Sequence, residues 1–177
     1  MKDDKIAFSV QMTPKEIFRF MCYHVYSKLS GIFGVLLSMV ACIILVVSFP
    51  ELTDQSRTIL ILIAIWFLIL YPVMLYTRSS GQVKRNPIYQ KPLHYVIERS
   101  GITISQEENE QMVSWEQITT VVETKYQYLF YSSRIHAFIF PKEMIGVESD
   151  VFNQKVCGYI EDKQIRLKGA IKKFWKR

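Results

Sequence analysis

The residues of this chain that could do chemistry are its histidines, its cysteines and one cluster of glutamates. Histidine can act as a general acid or base near neutral pH, cysteine can act as a nucleophile or a zinc ligand, and clustered carboxylates can bind a metal ion. The spacing of these residues decides whether any of that chemistry is available. They are His24, His94, His136, Cys22, Cys42, Cys157, Glu107, Glu108 and Glu110.

The three cysteines do not form a recognisable site. Their number is odd, they are widely scattered, and no two of them have the C-x-x-C spacing of zinc and redox motifs. Cys42 also lies inside an apolar run. We therefore expect neither a disulfide framework nor a zinc site, and we expect a reducing, cytoplasmic setting for these thiols.

The histidines and glutamates give no catalytic pattern either. The sequence shows no nucleophile spaced with a base, no paired carboxylates and no glycine-rich phosphate loop. A lone histidine on a half-buried strand is more often structural than catalytic, and the glutamates of residues 107–110 are typical of a solvated turn. The sequence predicts a protein that is not an enzyme, with no catalytic, metal-binding or cofactor-binding residues.

The net charge of +6 is unevenly distributed along the chain. Residues 77–92 and 151–177 are basic, whereas residues 93–150 carry an excess of acidic side chains. Lysine and arginine beside a membrane interact with anionic lipid at about 1 kcal/mol each, which explains this charge better than nucleic-acid binding does. We predict no nucleic-acid partner and name as candidate lipid-headgroup contacts Arg78, Lys84, Arg85, Lys172, Lys173, Lys176 and Arg177.

Two apolar runs, residues 31–49 and 58–76, predict two membrane-spanning helices to which the rest of the chain is attached. Each has 19 residues without a charged side chain, and a helix of that length crosses most of a hydrocarbon core of roughly 30 Å. A buried helix of a soluble protein is the alternative, but such a helix normally keeps a polar stripe, which neither run offers. A cleaved signal peptide fits poorly, because the first run begins only at residue 31 and a second follows it.

The short polar segment 50–57 joins the two runs and predicts a transmembrane hairpin. Seven basic residues flank the runs on the other side, against Arg57 alone in the turn. The positive-inside rule then places both termini in the cytoplasm, in a multi-pass protein of the plasma membrane. Pro72 lies within the second run, where we expect it to kink the helix near Tyr71 without breaking it.

Small residues recur along one face of the first run. Gly31, Gly34, Ser38 and Ala41 have the spacing of close helix–helix contacts in membranes. This candidate helix–helix face could meet the second helix or another protomer, and ordinary small residues in an apolar helix are an equally good interpretation.

The remaining segments predict an antiparallel sheet and two further helices. Residues 6–12 alternate apolar and polar side chains as a strand does, and Thr13-Pro14-Lys15-Glu16 is typical of a helix start, with the helix running on into the membrane. Six more strands are expected at residues 94–98, 101–105, 112–115, 121–124, 126–131 and 135–140. A helix from Asp150 should close one end of the sheet, and its basic continuation, residues 163–177, could lie on an anionic membrane face.

Three short motifs carry a resemblance to a known family. Val113-Ser-Trp115-Glu-Gln-Ile118, Val121-Val-Glu123 and Ile139-Phe-Pro141-Lys142 follow the hairpin in the order and spacing seen in the YcxB-like family of bacterial membrane proteins, which this chain resembles over most of its length. The resemblance implies a two-helix transmembrane hairpin followed by a domain similar to a pleckstrin-homology (PH) fold. It implies no catalytic residues, and it makes Trp115 and Ile118 core residues.

The expected protein is thus an α+β membrane protein with four parts. Residues 1–30 form a cytoplasmic strand and juxtamembrane helix, 31–76 the hairpin, 77–92 a basic linker, and 93–177 a PH-like antiparallel sheet capped by a C-terminal helix. We predict a membrane-anchored binding or scaffold protein whose domain contacts a protein partner or anionic lipid. The alternative is an accessory or immunity-type subunit of a membrane transporter or peptide-stress system, acting through its helices. The expected partners are the lipid bilayer and either another protein or further copies of this chain.

Overall fold

The structure is a computed structural model that describes residues 5–160 and 165–174. The chain is α+β and divides into two compact units. One unit combines Met1–Met12 with Asn86–Arg177, and the other is Thr13–Arg85. Residues 1–30, which the sequence analysis treats as one part, are therefore divided between the two units.

The helical unit begins where its sequence predicts. Helix α1 covers Pro14–Tyr26, with Pro14 in the first turn, where a missing N–H costs nothing. The hydroxyl of Thr13 donates to the carboxylate of Glu16 and makes no cap bond to the backbone. The helix does not run on into the first apolar run as expected, because Ser27 and Lys28 separate it from the next helix.

Two longer helices form the apolar hairpin. Helix α2 covers Leu29–Val47, and a second helix runs through Asp54–Arg85 as α3 (Asp54–Ile65), a π-helical turn (Trp66–Leu70) and α4 (Tyr71–Arg85). Both are long and apolar enough to cross a membrane, and only 17% and 11% of their most apolar windows are buried. A core helix of a soluble protein would be mostly buried, so these surfaces suit lipid better than water.

The second helix bears on two of the predictions. The helix continues unbroken through Pro72, as predicted, and it contains a π-helical turn that ends at Leu70, two residues before the proline. The helix also continues to Arg85, so the first nine residues of the expected basic linker are helical. At about 1.5 Å per residue, the 32 residues of this helix are longer than a hydrocarbon core of roughly 30 Å, and the end of α4 is polar.

The other unit contains two four-stranded sheets. The first has the order β1-β2-β3-β4, with strands Ile6–Val10, Leu93–Glu98, Gly101–Gln106 and Asn109–Ser114, all antiparallel. The second has the order β7-β6-β5-β8, with β5 at Thr120–Glu123, β6 at Gln127–Tyr131, β7 at Ala137–Pro141 and β8 at Arg166–Lys168. The N-terminal strand thus joins a sheet whose other strands lie more than 80 residues later.

The last elements differ from the sequence prediction. Helix α5 covers Lys142–Ile145 and helix α6 covers Ser149–Tyr159, and the latter was expected. The predicted helical continuation was wrong, because residues 166–168 form strand β8, parallel to β5, and residues 170–174 form a 3₁₀ turn. Gly169 has φ +86°, a left-handed conformation that ends the strand and that a helix cannot contain.

Aromatic side chains from both sheets and α6 build the core. Phe140 packs edge-to-face on Tyr95 and Phe130, with ring centroids 4.9 Å apart in each pair. Trp115 and Ile118 are buried, and the Trp115 indole N–H donates to the Glu98 carbonyl oxygen at 3.0 Å. Helix α6 contributes Phe152, and its burial fixes the helix on the second sheet.

Candidate functional site

A cleft of about 750 Å³ opens in the sheet-containing unit. Its walls come from the ends of β2 and β3, the start of β4, strand β7 and the turn Pro87–Gln90. The volume falls within the range typical of ligand-binding sites in proteins. The cleft is therefore the candidate functional site.

The apolar part of the cleft is built on the domain core. Tyr95 lines the cleft and is itself buried, stacking on Phe8 at 5.7 Å between ring centroids. Burial, with a smaller effect from Tyr89, raises the pKa of the Tyr95 phenol above its usual value, so the ring keeps its proton. Leu93, Ile104 and Ile139 complete an uncharged apolar surface.

One wall of the cleft is held by side-chain hydrogen bonds to the backbone. The Gln106 amide donates to the carbonyl oxygens of Ile88 at 2.9 Å and Lys91 at 3.0 Å. The Gln11 amide donates to the Tyr89 carbonyl oxygen at 2.7 Å. These bonds tie the turn to β3 and to the residue that follows β1, and they support this wall of the cleft.

Polar and acidic groups surround the opening. Asn109, Glu110 and Gln111 line it from β4, and His136 lines it from the β6–β7 hairpin. Glu107, in the turn between β3 and β4, forms an ion pair with Lys91. Glu110 is the one carboxylate among the lining residues, so the cleft suits a neutral or cationic ligand.

A second cluster of polar groups surrounds the side chain of Glu123 at the end of β5. The Glu123 carboxylate accepts from Lys142 Nζ at 2.6 Å, Asn153 Nδ2 at 3.0 Å and the Tyr128 hydroxyl at 3.4 Å. Lys142 Nζ also lies 4.9 Å from the centre of the Tyr128 ring. These contacts join β5, β6, α5 and α6, so the cluster holds the fold together.

This buried cluster offers no nucleophile. Cys157 is buried, and its thiol lies 3.7 Å from the Ile171 carbonyl oxygen. Burial and the nearby Glu123 carboxylate raise the pKa of the Cys157 thiol to about 11. The thiol is thus almost entirely protonated at neutral pH and unreactive.

The predicted lipid contacts are distributed over both units. Arg78, Lys84 and Arg85 are exposed on α4, and Lys172 and Lys173 are exposed in the 3₁₀ turn after β8. Arg166 and Lys168 are also exposed on β8 and add to the second group. Lys176 and Arg177 lie outside the described residues.

Three of the four small residues of the candidate helix–helix face lie between the two long helices. Gly34 faces the Phe67 ring so closely that a Cβ atom there would lie 2.6 Å from it, and the Ser38 hydroxyl donates to the Ile63 carbonyl oxygen at 3.0 Å. Ala41 is buried on the same face. Gly31 instead lies in the first turn of α2, against the backbone of Val25 in α1.

The histidines lie apart from one another in the described ranges 5–160 and 165–174. His24 approaches Lys28 at 2.8 Å, His94 shares a hydrogen bond of 2.7 Å with Ser9, and His136 lies at the cleft. Within those same ranges no three His, Cys, Asp or Glu side chains are grouped as a metal site would require.

Sequence reasoning missed both the cleft and the Glu123–Lys142 pair. The cleft is built from segments up to 127 residues apart, so no local pattern encodes it. The ion pair did leave a signal, because Glu123 ends an apolar strand and Lys142 follows another, within two of the motifs quoted above.

Comparison with known proteins gives one family. Residues 97–149 match the family model described as YcxB-like protein. The match extends from β2 to the first residue of α6, and it includes Trp115, Glu123 and Lys142. No curated protein and no solved structure matches the chain significantly.

Proposed function

We propose that this chain, with its YcxB-like segment, is a membrane-anchored, non-enzymatic binding protein. The cleft in the sheet-containing unit carries the proposal, because it combines an apolar interior with a polar opening. The apolar hairpin supplies the anchor. The partner is a protein that occupies the cleft.

The proposal includes a topology and a fold relationship. The hairpin crosses the plasma membrane twice and leaves both termini in the cytoplasm, supported by the excess of basic residues on one side of the hairpin. The sheet-containing unit is PH-like, supported by antiparallel strands followed by a C-terminal helix. The parallel strand β8 is a departure from that pattern.

Co-purification of the full-length protein in mild detergent tests the binding function. Gln111→Trp should block the cleft and remove associated proteins, because Gln111 lines the cleft. Met112→Trp is the matched control, since Met112 is the next residue, is 53% exposed and lies outside the lining. If both variants retain the same associated proteins as the wild type, the cleft does not bind them.

Anionic lipid is a second candidate ligand, supported by the exposed basic residues of β8 and the following turn. The full-length protein in nanodiscs should show slower acetylation of Lys172 and Lys173 when the lipid is anionic than when it is zwitterionic. Lys125, exposed in the turn between β5 and β6, is the internal control. Equal rates in both lipids would remove this candidate.

The accessory-subunit alternative has less surface available to it than the sequence indicated. Gly34, Ser38 and Ala41 pack inside the hairpin, so a membrane partner would have to use the lipid-facing side of α2. Leu36→Arg would test this, because Leu36 is exposed on α2. Loss of a membrane partner in this variant, with the cleft variant unaffected, would favour the alternative.

A further inference from the structure

The cleft is bordered by the edges of two sheets. Strand β7 is the last strand of one sheet and β4 is the last strand of the other. Three consecutive residues of β7, Ala137 to Ile139, line the cleft, and so do three consecutive residues of β4, Asn109 to Gln111. Neighbouring side chains of a strand point to opposite faces, so consecutive lining residues mean that the strand edges border the cleft.

The register of β6 and β7 shows which backbone groups of β7 are free. The N–H of Lys142 donates to Tyr126 at 3.0 Å, and the N–H of Ser132 donates to His136 at 3.1 Å. Hydrogen-bonded pairs alternate in an antiparallel ladder, so Phe138 and Phe140 also bond to β6. The N–H and C=O groups of Ala137 and Ile139 therefore point away from β6, towards the free edge.

These outward groups have no backbone partner among residues 5–160 and 165–174. An unpaired edge with donors and acceptors at regular spacing is a template for an added strand. A small-molecule ligand or a lipid headgroup would not use alternating backbone groups in this way. The edge thus indicates an extended polypeptide.

The charge at the opening indicates which kind of polypeptide. Glu110 lines the cleft from β4, and Glu108 lies in the turn between β3 and β4. Both are exposed and have no ion-pair partner within the described parts of the chain. The adjacent Asn109 and Gln111 are neutral. A lysine or arginine of the ligand would complement these carboxylates.

We infer that the cleft binds an extended peptide that carries a basic side chain and adds as a strand to the free edge of β7. The apolar surface around Ile104 and Ile139 then receives a second, apolar side chain of the peptide. This inference rests on the proposed function, and it specifies the partner as a segment of another protein in extended conformation.

A library of short linear peptides, selected on the full-length protein in detergent, provides the probe. The affinity of the most enriched peptide is then measured for four variants, two that test the strand edge and two that test charge. Ala137→Pro removes one outward N–H without touching the ladder to β6 and should weaken binding by about fivefold or more. Ala137→Val keeps that N–H and is the matched control for added bulk.

Charge is tested on the same peptide. Glu110→Lys should weaken binding by about tenfold, whereas Glu108→Lys, outside the lining, should have a smaller effect. Methylating every second backbone nitrogen of the peptide should abolish binding when those nitrogens are the ones that face β7. Methylating the other set of nitrogens should leave binding unchanged. Equal effects of Ala137→Pro and Ala137→Val, or unchanged affinity on Glu110→Lys, would overturn the inference.

The outcomes separate this inference from the proposed function. If no peptide is enriched while Gln111→Trp still removes a co-purifying protein, the cleft binds a folded surface and the strand model is wrong. If anionic vesicles compete with the selected peptide, the cleft binds lipid headgroups and the inference fails in that way. If Gln111→Trp removes nothing and no peptide is enriched, both proposals fail together.

Discussion

At the residue scale, the Glu123–Lys142 pair holds two motifs of the YcxB-like segment together. The Glu123 carboxylate is buried, and three donors from β6, α5 and α6 surround it. A buried carboxylate without compensation is costly, so each donor matters more than an exposed ion pair would. The matched family model covers the strands that bring these two residues together.

Lys142→Met should lower the free energy of unfolding by about 3 kcal/mol, because it leaves the Glu123 carboxylate buried without its cation. The double variant Glu123→Gln/Lys142→Met should recover part of the loss, since it removes both charges. Chemical denaturation of the full-length protein in detergent measures both values. A double variant no more stable than Lys142→Met would argue against a charge-pair explanation.

Cys157 should resist maleimide in the folded protein at neutral pH and react once the protein is unfolded. Burial and the Glu123 charge keep its thiol protonated, with a pKa of about 11, and restrict access to it. Mass spectrometry after labelling in detergent, with and without denaturant, checks this. Rapid labelling of the folded protein would contradict the burial of the Cys157 thiol on α6.

At the element scale, the two apolar helices meet at small residues, and in the proposed membrane setting close contact there replaces apolar attraction between the helices. Lipid tails are as apolar as leucine, so small residues that allow close approach decide which faces meet. Gly34 provides that approach opposite Phe67, and Ser38 adds a hydrogen bond to the Ile63 carbonyl oxygen. Phe67 belongs to the π-helical turn, which therefore lies opposite Gly34.

Gly34→Ala should destabilise the hairpin by about 1–3 kcal/mol, because the added methyl group overlaps the Phe67 ring. Gly81→Ala is the matched control. Nothing lies within 4 Å of a Cβ atom at Gly81, so alanine there should be neutral or stabilise α4 by roughly 0.5–1 kcal/mol. Thermal unfolding in detergent compares the two variants, and equal effects would contradict the packing described above.

At the scale of the whole molecule, the chain crosses between its two units twice, because residues before and after the helical unit share one sheet. Strand β1 pairs with β2 across the whole of α1–α4. A fragment beginning at residue 93 would lack β1 and expose the edge of β2. Studies of the binding unit therefore need the full-length chain.

Both sides of the proposed topology can be labelled. Gln55→Cys, exposed in the turn region of the hairpin, should react with a membrane-impermeant maleimide on intact cells. Gln154→Cys, exposed on α6, should react only after permeabilisation. Labelling of Gln154→Cys on intact cells would place the sheet-containing unit outside and reverse the proposed orientation.

The sequence by itself determined the elements whose cause is local. The two apolar runs, the helix start at Pro14 and six strands between residues 93 and 141 follow from hydrophobic periodicity and turn residues, which neighbouring positions encode. The helix starting near Asp150 follows from the same kind of signal.

Only the tertiary structure decided the features that depend on distant partners. The sequence predicts a helix for residues 166–168, but they form a strand. They pair in parallel with β5, which lies more than 40 residues earlier in the chain. The cleft and the Glu123 cluster likewise exist only where separate strands meet. Local propensity is worth a fraction of a kcal/mol per residue, so pairing and burial against remote segments override it.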